Sequence, residues 1–364
     1  MDLDNKFFIK VSKKKKITEL HARYFNKYKN ENVCDKKVII NKIDRMNNCL
    51  NYWLWDEYKL NKVLDLKSVN RCKDLFCPNC RLINVSKALV KLNDSFIELL
   101  NDDYVPYMMT LTIPNVKGDN LKDTLNKLSK SFFKFWCWIN RVDNSKSFGR
   151  RLFRAEACVK VLEITVQKNN NSMFHPHYHC LVFLKLDSKS DDFIFDKVFD
   201  GGYRQISKDY TFYSYADLFI QKLWKMAYEG INIKNFDKIS SKWFDNYICD
   251  IREIDFESGG LFEVFKYCFK DSDIKNYGIF KVFYESLKNK RIRQGYGKLF
   301  NNVDIVIDED DNETIENIIN YLKIDELPEV LRVNGIDKHN KEFGDYKKVS
   351  RFKSYSNIRD IKDY

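Results

Sequence analysis

Hydrophobic positions along this 364-residue chain fall into two rhythms. Three stretches carry apolar side chains every three or four residues, the spacing of one helix face. In 84–100 these are Leu89, Leu92, Phe96 and Leu99 or Leu100. In 120–140 they are Leu121, Leu125, Leu128, Phe132, Phe135 and Trp136, and in 211–229 Phe219, Leu223 and Trp224. Four other stretches are short and strand-like: 107–113, stopped by Pro114-Asn115, then 157–167, 177–185 and 247–254. Ser258-Gly259-Gly260 precedes a fourth expected helix over 261–270, where Glu263 and Tyr267 share a face and Lys270 lies close to it. This order of elements predicts an α+β class. The polar turn Lys168-Asn169-Asn170-Asn171-Ser172 makes a hairpin of the second and third strands, so the sheet is not parallel throughout.

The third strand is entered through Phe174-His175-Pro176-His177-Tyr178-His179, which holds three of the chain's five histidines. Side chains alternate along a strand, so His175, His177 and His179 point to one face. Imidazoles grouped in this way suit a divalent metal. Glu163 sits inside the second strand between Leu162 and Ile164. A carboxylate on a core strand is costly unless paired or metal-bound, and the hairpin would carry it towards His177 and His179. The rival reading places Glu163 on a solvated outer face of the sheet.

Cysteine usage adds a second candidate metal site. Cys77-Pro78-Asn79-Cys80 has knuckle spacing, with Cys72 as third ligand and Cys49 as fourth; Cys34 and His21 compete for the fourth place. Two thiolates on a tight turn suit tetrahedral Zn²⁺, and the additional cysteines favour structural zinc over a redox dithiol. Trp53, Trp55 and Tyr58 lie between the presumed ligands, placed to pack around them.

Charge changes the picture modestly. The formal net charge is +11, which favours a polyanionic partner, although abundant Lys, Asn and Ile also reflect AT-rich coding. Residues 1–33 read as a basic polar arm with Lys13 to Lys16 in a row, either solvated or contacting DNA phosphates. Residues 34–100 form the zinc-knuckle segment and its helix, and 101–302 hold the strands and their helices. A basic cluster, Lys288, Lys290, Arg291 and Arg293, lies near the end of that region. Residues 303–364 form an extension, first acidic around Asp308-Glu309-Asp310-Asp311 and then basic. No apolar run reaches the length of a membrane span, and the first residues lack a signal peptide's apolar region. The expected location is cytoplasmic, with no membrane partner.

The motifs, in order, resemble those of the rolling-circle replication initiators of small plasmids, within the His-hydrophobe-His endonuclease superfamily. Motif one is similar to Met109-Thr110-Leu111-Thr112-Ile113-Pro114-Asn115, and motif two to His175-Pro176-His177-Tyr178-His179. Motif three is similar to Glu263-Val264-Phe265-Lys266-Tyr267-Cys268-Phe269-Lys270-Asp271. The cysteine segment and Arg291 to Phe300 also resemble family segments, so the likeness runs over about residues 45–302. It implies a central antiparallel sheet flanked by helices, with the histidines on a central strand.

It also implies that Tyr267 attacks an origin phosphodiester, stays on the 5′ phosphate and frees a 3′ hydroxyl. His177, His179 and Glu163 would hold Mg²⁺ or Mn²⁺. Glu263 would act as base for the terminating water, and Lys270 would neutralise the scissile phosphate. The implied partners are double- and single-stranded origin DNA, a host helicase and polymerase, and a second copy of the chain. A relaxase or transposase of the same superfamily is the nearer alternative, and a non-catalytic zinc DNA-binding regulator the more distant one.

Overall fold

A computed structural model describes residues 5–31, 36–50, 52–58, 63–140, 155–167, 172–185, 204–205, 212–213, 215–238, 247–254, 265, 268–300 and 350–354. The chain divides into two compact units, Met1–Val90 with Val306–Tyr364, and Lys91–Ile305.

In the first unit, α1 (Asn5–Glu31) and α2 (Lys36–Asn47) pack together. The stretch read as a polar arm is therefore mostly a 27-residue helix. Its buried face is Thr18, His21, Ala22 and Phe25, at the helical intervals of three and four. Only Phe25 among these is strongly apolar, so hydrophobic periodicity barely registers. Strands β1 (Tyr52–Tyr58) and β2 (Val63–Val69) pair antiparallel, and β11 (Ser350–Ser354) adds to the free edge of β1. The side chains of Trp53, Trp55 and Tyr58 and the acidic run 308–311 lie outside the described residues. The knuckle leads into α3 (Pro78–Asn101), whose first residue is proline, favoured there because that N–H has no intrahelical partner. The expected helix over 84–100 thus begins a turn and a half earlier.

The second unit is built on an antiparallel sheet of six strands. These are β3 (Tyr104–Thr112), β4 (Val116–Lys117), β5 (Ala155–Val166), β6 (Met173–Lys185), β9 (Cys249–Glu253) and β10 (Arg293–Gly297). The order is β10-β5-β6-β3-β9, with β4 pairing β6. A separate ribbon joins β7 (Arg204–Gln205) and β8 (Phe212–Tyr213). Helices α4 (Gly118–Asn140), α5 (Tyr215–Glu229) and α6 (Tyr277–Leu287) cover the face opposite the histidines. There Phe132 meets Tyr178 and Tyr296 with ring centroids 5.4 and 5.0 Å apart, and Phe283 meets Phe174 at 5.5 Å. Trp224 stands edge-on to Phe135, and its indole N–H donates to the Thr112 carbonyl at 2.7 Å. On the histidine face, Phe183 packs against Phe96 and Phe96 against Phe265.

All four expected strands form and the expected hairpin is present, but two begin earlier, across prolines. Pro106 lies in β3 opposite Phe183, and its carbonyl accepts from Ile254, just past the end of β9. Its missing N–H leaves unmade only the return bond to Ile254, at the last pair of that ladder. Pro176 lies in β6 opposite Ile164, whose own N–H turns outward to Cys268. Pro176 accordingly faces the gap between β3 and β4, where no strand needs a donor. In the expected helix over 261–270, the described residues Phe265 and Cys268–Lys270 are turn and bend. Gly297 closes β10 with φ of 61°, and a Cβ there would stand 1.9 Å from the Glu156 carbonyl oxygen.

Lys160 is buried at 2 % exposure on the helix-covered face. Its Nζ donates to Tyr296 Oη at 3.0 Å and lies 4.6 to 5.3 Å from the ring centres of Phe132, Tyr178 and Tyr296. The rings offset part of the desolvation, yet burial still pushes the ammonium down to about 8. An unfolded lysine titrates near about 10.4, so protonation favours the unfolded chain. The penalty is complete below about pH 8 and fades as pH rises towards about 10.4. Lys160→Met is expected to remove that rise: thermal melts at pH 7.5 and 9.5 should differ less in the variant than in the wild type. Equal differences would show that Lys160 does not titrate in this window.

Candidate metal centres

The four cysteine sulfurs of the first unit come together from three places. Cys49 follows α2, Cys72 follows β2, and Cys77 and Cys80 flank the start of α3. All four are buried, and their sulfurs lie within 4.8 Å of one another. Cys49 Sγ is 3.7 Å from Cys77 Sγ and 3.5 Å from Cys80 Sγ, and Cys72 Sγ is 3.5 Å from Cys80 Sγ. A tetrahedral thiolate site with bonds near 2.3 Å has edges of about 3.8 Å, whereas a disulfide brings sulfurs to about 2.05 Å. The spacing therefore fits a four-thiolate metal site.

Electrostatics split the four thiols: Cys49 is pushed up, first by its hydrogen bond with Cys72, and Cys77 is pushed down. Hydrogen bonds from Cys49, Cys72 and Cys80, then one from Thr18, hold the Cys77 thiol well below its ordinary value. The Thr18 hydroxyl lies 3.3 Å from Cys77 Sγ, and the Cys72 N–H donates to Cys49 Sγ at 3.4 Å. Asp74 shapes the knuckle, accepting from the Phe76 N–H at 2.9 Å and pairing with Lys42 at 2.9 Å. Of the competitors for the fourth place, His21 instead directs Nδ1 to the Phe76 carbonyl at 2.7 Å. Cys34 lies outside the described residues.

The second cluster lies on the sheet. Register pairs Glu163 of β5 with His177 of β6, and Val161 with His179. His177 Nε2 and His179 Nε2 are 3.2 Å apart, and Glu163 Oε2 is 3.4 Å from the first and 2.9 Å from the second. The His177 Nδ1 lies 3.1 Å from the His175 carbonyl. A carbonyl only accepts, so that nitrogen carries a proton; Nε2 then donates to Glu163 when the ring is protonated and turns a lone pair to a metal when it is neutral. His179 Nδ1 is buried and has no hydrogen-bond partner among the described residues. Burial pushes the Glu163 carboxyl up, but hydrogen bonds from His177 and His179, then their charge, hold it well below the usual carboxylate range. Two imidazole nitrogens and a carboxylate oxygen at these distances are spaced to share one cation, and the donor set suits a divalent metal.

His175 points to the same face but stands outside this trio. Its Nδ1 bonds to Asn115 Oδ1 at 2.8 Å. Burial first, then the charge of His177, push its imidazole down to about 4. Asn115 ends a strand and closes motif one, and no local pattern shows that it orients this ring. The Cys268 carbonyl accepts from the Ile164 N–H at 2.7 Å, one residue from Glu163. Lys270 is exposed, and its backbone N–H donates to Asp273 Oδ2 at 3.3 Å. Glu263 and Tyr267 lie outside the described residues.

Comparison with known proteins adds an independent line. A family model described as "Replication protein" matches residues 63–200. A "Protein rep" of Bacillus sp is 25 % identical over 234 residues, covering 64 % of this chain and 67 % of that protein. A "Protein rep" of Bacillus amyloliquefaciens is 25 % identical over 234 residues, 60 % of its length. One of Staphylococcus aureus is 25 % identical over 174 residues, 48 % of this chain and 67 % of that protein. The matched regions thus span three fifths to two thirds of these relatives. No solved structure matches the chain. The antiparallel sheet that carries the paired histidines and the four-cysteine site that precedes it in the chain thus accompany a likeness to replication proteins over residues 63–200 and to the Rep proteins of these bacteria.

Proposed function

We propose that this protein starts replication by nicking one strand of its plasmid origin, with Tyr267 as nucleophile. The observation that carries the reading is the convergence of Glu163, His177 and His179 on strands whose neighbour, Ile164, is bonded to Cys268. Cys268 directly follows Tyr267 in the chain, and its bond to the residue after Glu163 supports a motif three that runs beside β5.

In the proposed step the Tyr267 phenolate oxygen forms a bond to the scissile phosphorus and the bond from phosphorus to the 3′ oxygen breaks. The 5′ side remains as a phosphotyrosine ester and the 3′ oxygen takes up a proton, leaving a hydroxyl for a polymerase. His177, His179 and Glu163 hold Mg²⁺ or Mn²⁺, which when bound supplies Lewis-acid polarisation of a phosphate oxygen. His175, oriented by Asn115, fixes the proton on His177 Nδ1 through its carbonyl and so keeps Nε2 turned inward. Lys270 offers positive charge to the phosphate, and Glu263 takes the proton from the water that ends the round. The four cysteines hold structural Zn²⁺. The partners are origin DNA, duplex and single-stranded, followed by a helicase and polymerase of the host. The place of action is the cytoplasm, where plasmid DNA lies; among the described residues no helix is long and apolar enough to cross a membrane.

The test incubates the protein with Mn²⁺ and a supercoiled plasmid carrying its own origin. Nicked circles with covalently bound protein are expected from the wild type and neither product from Tyr267→Phe. A covalent adduct that persists in Tyr267→Phe would assign the nucleophile elsewhere. No nicking by the wild type, with binding intact, would favour a non-catalytic regulator. Glu263→Ala should nick but release its product poorly after one round.

A further inference from the structure

The outer face of α1 has no part in either metal site, yet it carries an ordered array of charge. Lys13, Lys16, Arg23 and Lys27 are exposed. At about 100° of rotation per residue they fall within an arc of about 80°. The buried residues Thr18, His21, Ala22 and Phe25 are centred on the opposite side of the same helix. Between Lys13 and Lys27 the charged arc contains no acidic residue; Glu19, the one acid in that span, lies on its flank and is half-buried. Fourteen residues at 1.5 Å each make a stripe about 21 Å long, the axial length of about six base pairs.

Three contacts fix the stripe in place. Thr18 on the inner face reaches Cys77 Sγ at 3.3 Å, and His21 reaches the Phe76 carbonyl at 2.7 Å. Phe25 stands edge-on to Phe76 with ring centres 5.6 Å apart. The knuckle therefore anchors the inner face and presents the opposite face as a straight row of cations. A solvated helix face usually mixes charge signs for solubility; between Lys13 and Lys27 this one does not, and the acid on its arc, Glu31, comes one turn later at the end of the helix.

We infer that the Lys13-Lys16-Arg23-Lys27 face of α1 is a docking surface for the phosphate backbone of duplex DNA. The inference rests on the reading of the chain as an initiator acting on DNA. Lysine ammonium groups on flexible stems meet phosphates without reading bases. This surface thus adds affinity that is independent of sequence, and leaves recognition of the nick site to other residues.

The full-length protein is titrated, without divalent metal in the buffer, into fluorescent random-sequence duplex DNA at several salt concentrations. Lys13→Gln, Lys16→Gln, Arg23→Gln and Lys27→Gln combined should make the slope of log K against log salt less negative by about 3 to 4. Affinity at about 0.1 M salt should fall at least about tenfold. The milder pair Lys16→Gln with Arg23→Gln should change the slope by about 2, and circular dichroism melts verify that both variants fold. Lys122→Gln with Lys130→Gln, exposed lysines of α4, remove the same charge as the pair elsewhere and should leave the slope unchanged. An unchanged slope in the α1 pair, or an equal change in the α4 pair, overturns the inference. Loss confined to origin DNA also overturns it, because phosphate contacts are blind to sequence. A wild type that nicks its origin while the α1 pair keeps its slope defeats this surface alone. A slope that depends on α1 in a protein that fails to nick defeats the initiator reading alone.

Discussion

Replacing His179 by Ala is expected to lower Mn²⁺-dependent nicking of the origin by more than about 10²-fold, because even residues that only support metal ligands cost about 10- to 100-fold when changed. His179 Nε2 is the nitrogen closer to Glu163, at 2.9 Å, and lies 3.2 Å from His177 Nε2. Its loss leaves two donors from adjacent strands and a half-buried carboxylate missing one of the two hydrogen bonds that hold it ionised. Glu163→Gln keeps the shape of the side chain and removes its charge, so it should reduce Mn²⁺ affinity in calorimetry while the melting temperature stays close to the wild type. His175→Ala should weaken the metal less, because that ring is held by Asn115 and stands outside the trio. Titration with Mn²⁺ separates these cases. If His179→Ala and Glu163→Gln bind Mn²⁺ as the wild type does, the ion is held elsewhere and the proposed centre fails.

Cys77→Ala is expected to have the largest effect on folding. Metal binding supplies on the order of 10 kcal/mol or more of apparent folding free energy in small zinc domains, and removing one of four thiolates forfeits much of it. Cys77 also receives the Thr18 hydroxyl, and its neighbour Phe76 receives His21 and Phe25. The inner face of α1 therefore rests on this turn. Limited proteolysis should show new cleavage within residues 5–31 in Cys77→Ala, and likewise in wild-type protein treated with a strong zinc chelator. Atomic absorption on the purified wild type should give one zinc per chain. Unchanged protection of α1 after complete metal loss would mean that helix packing alone holds this unit.

The two clusters were legible in the sequence to different depths. Glu163 and His177 lie on neighbouring strands joined by a short polar turn, and period-two alternation fixes which side chains share a face. The convergence of Glu163 with His177 and His179 was therefore readable from local order alone. The cysteine cluster needs Cys49, which comes from a separate stretch of chain. Sequence left it in competition with Cys34 and His21, because spacing in a chain says little about distance across a loop. Only the assembled unit places Cys49 Sγ 3.5 Å from Cys80 Sγ and turns His21 to a backbone carbonyl.

The strand starts differ from the expected ones for a related reason. Pro106 and Pro176 look like stops, since proline cannot donate to a ladder. Whether a donor is needed depends on what lies beside the residue: Pro106 sits at the last pair of its ladder and Pro176 faces the gap between β3 and β4. The first helix escaped notice because its buried face is Thr, His, Ala and a single Phe. Those residues are buried by hydrogen bonds to the knuckle as much as by apolar contact, and a hydrophobic pattern does not record hydrogen bonds. The sequence by itself determined the strand that carries the histidines, the hairpin that brings Glu163 to them and the pair Cys77 and Cys80, because each follows from local periodicity or a tight turn. The tertiary structure alone decided the place of Cys49, the orientation of His175 by Asn115 and the burial of α1 against the knuckle. Each of these depends on contacts between segments far apart in the chain, whose distance no local pattern encodes.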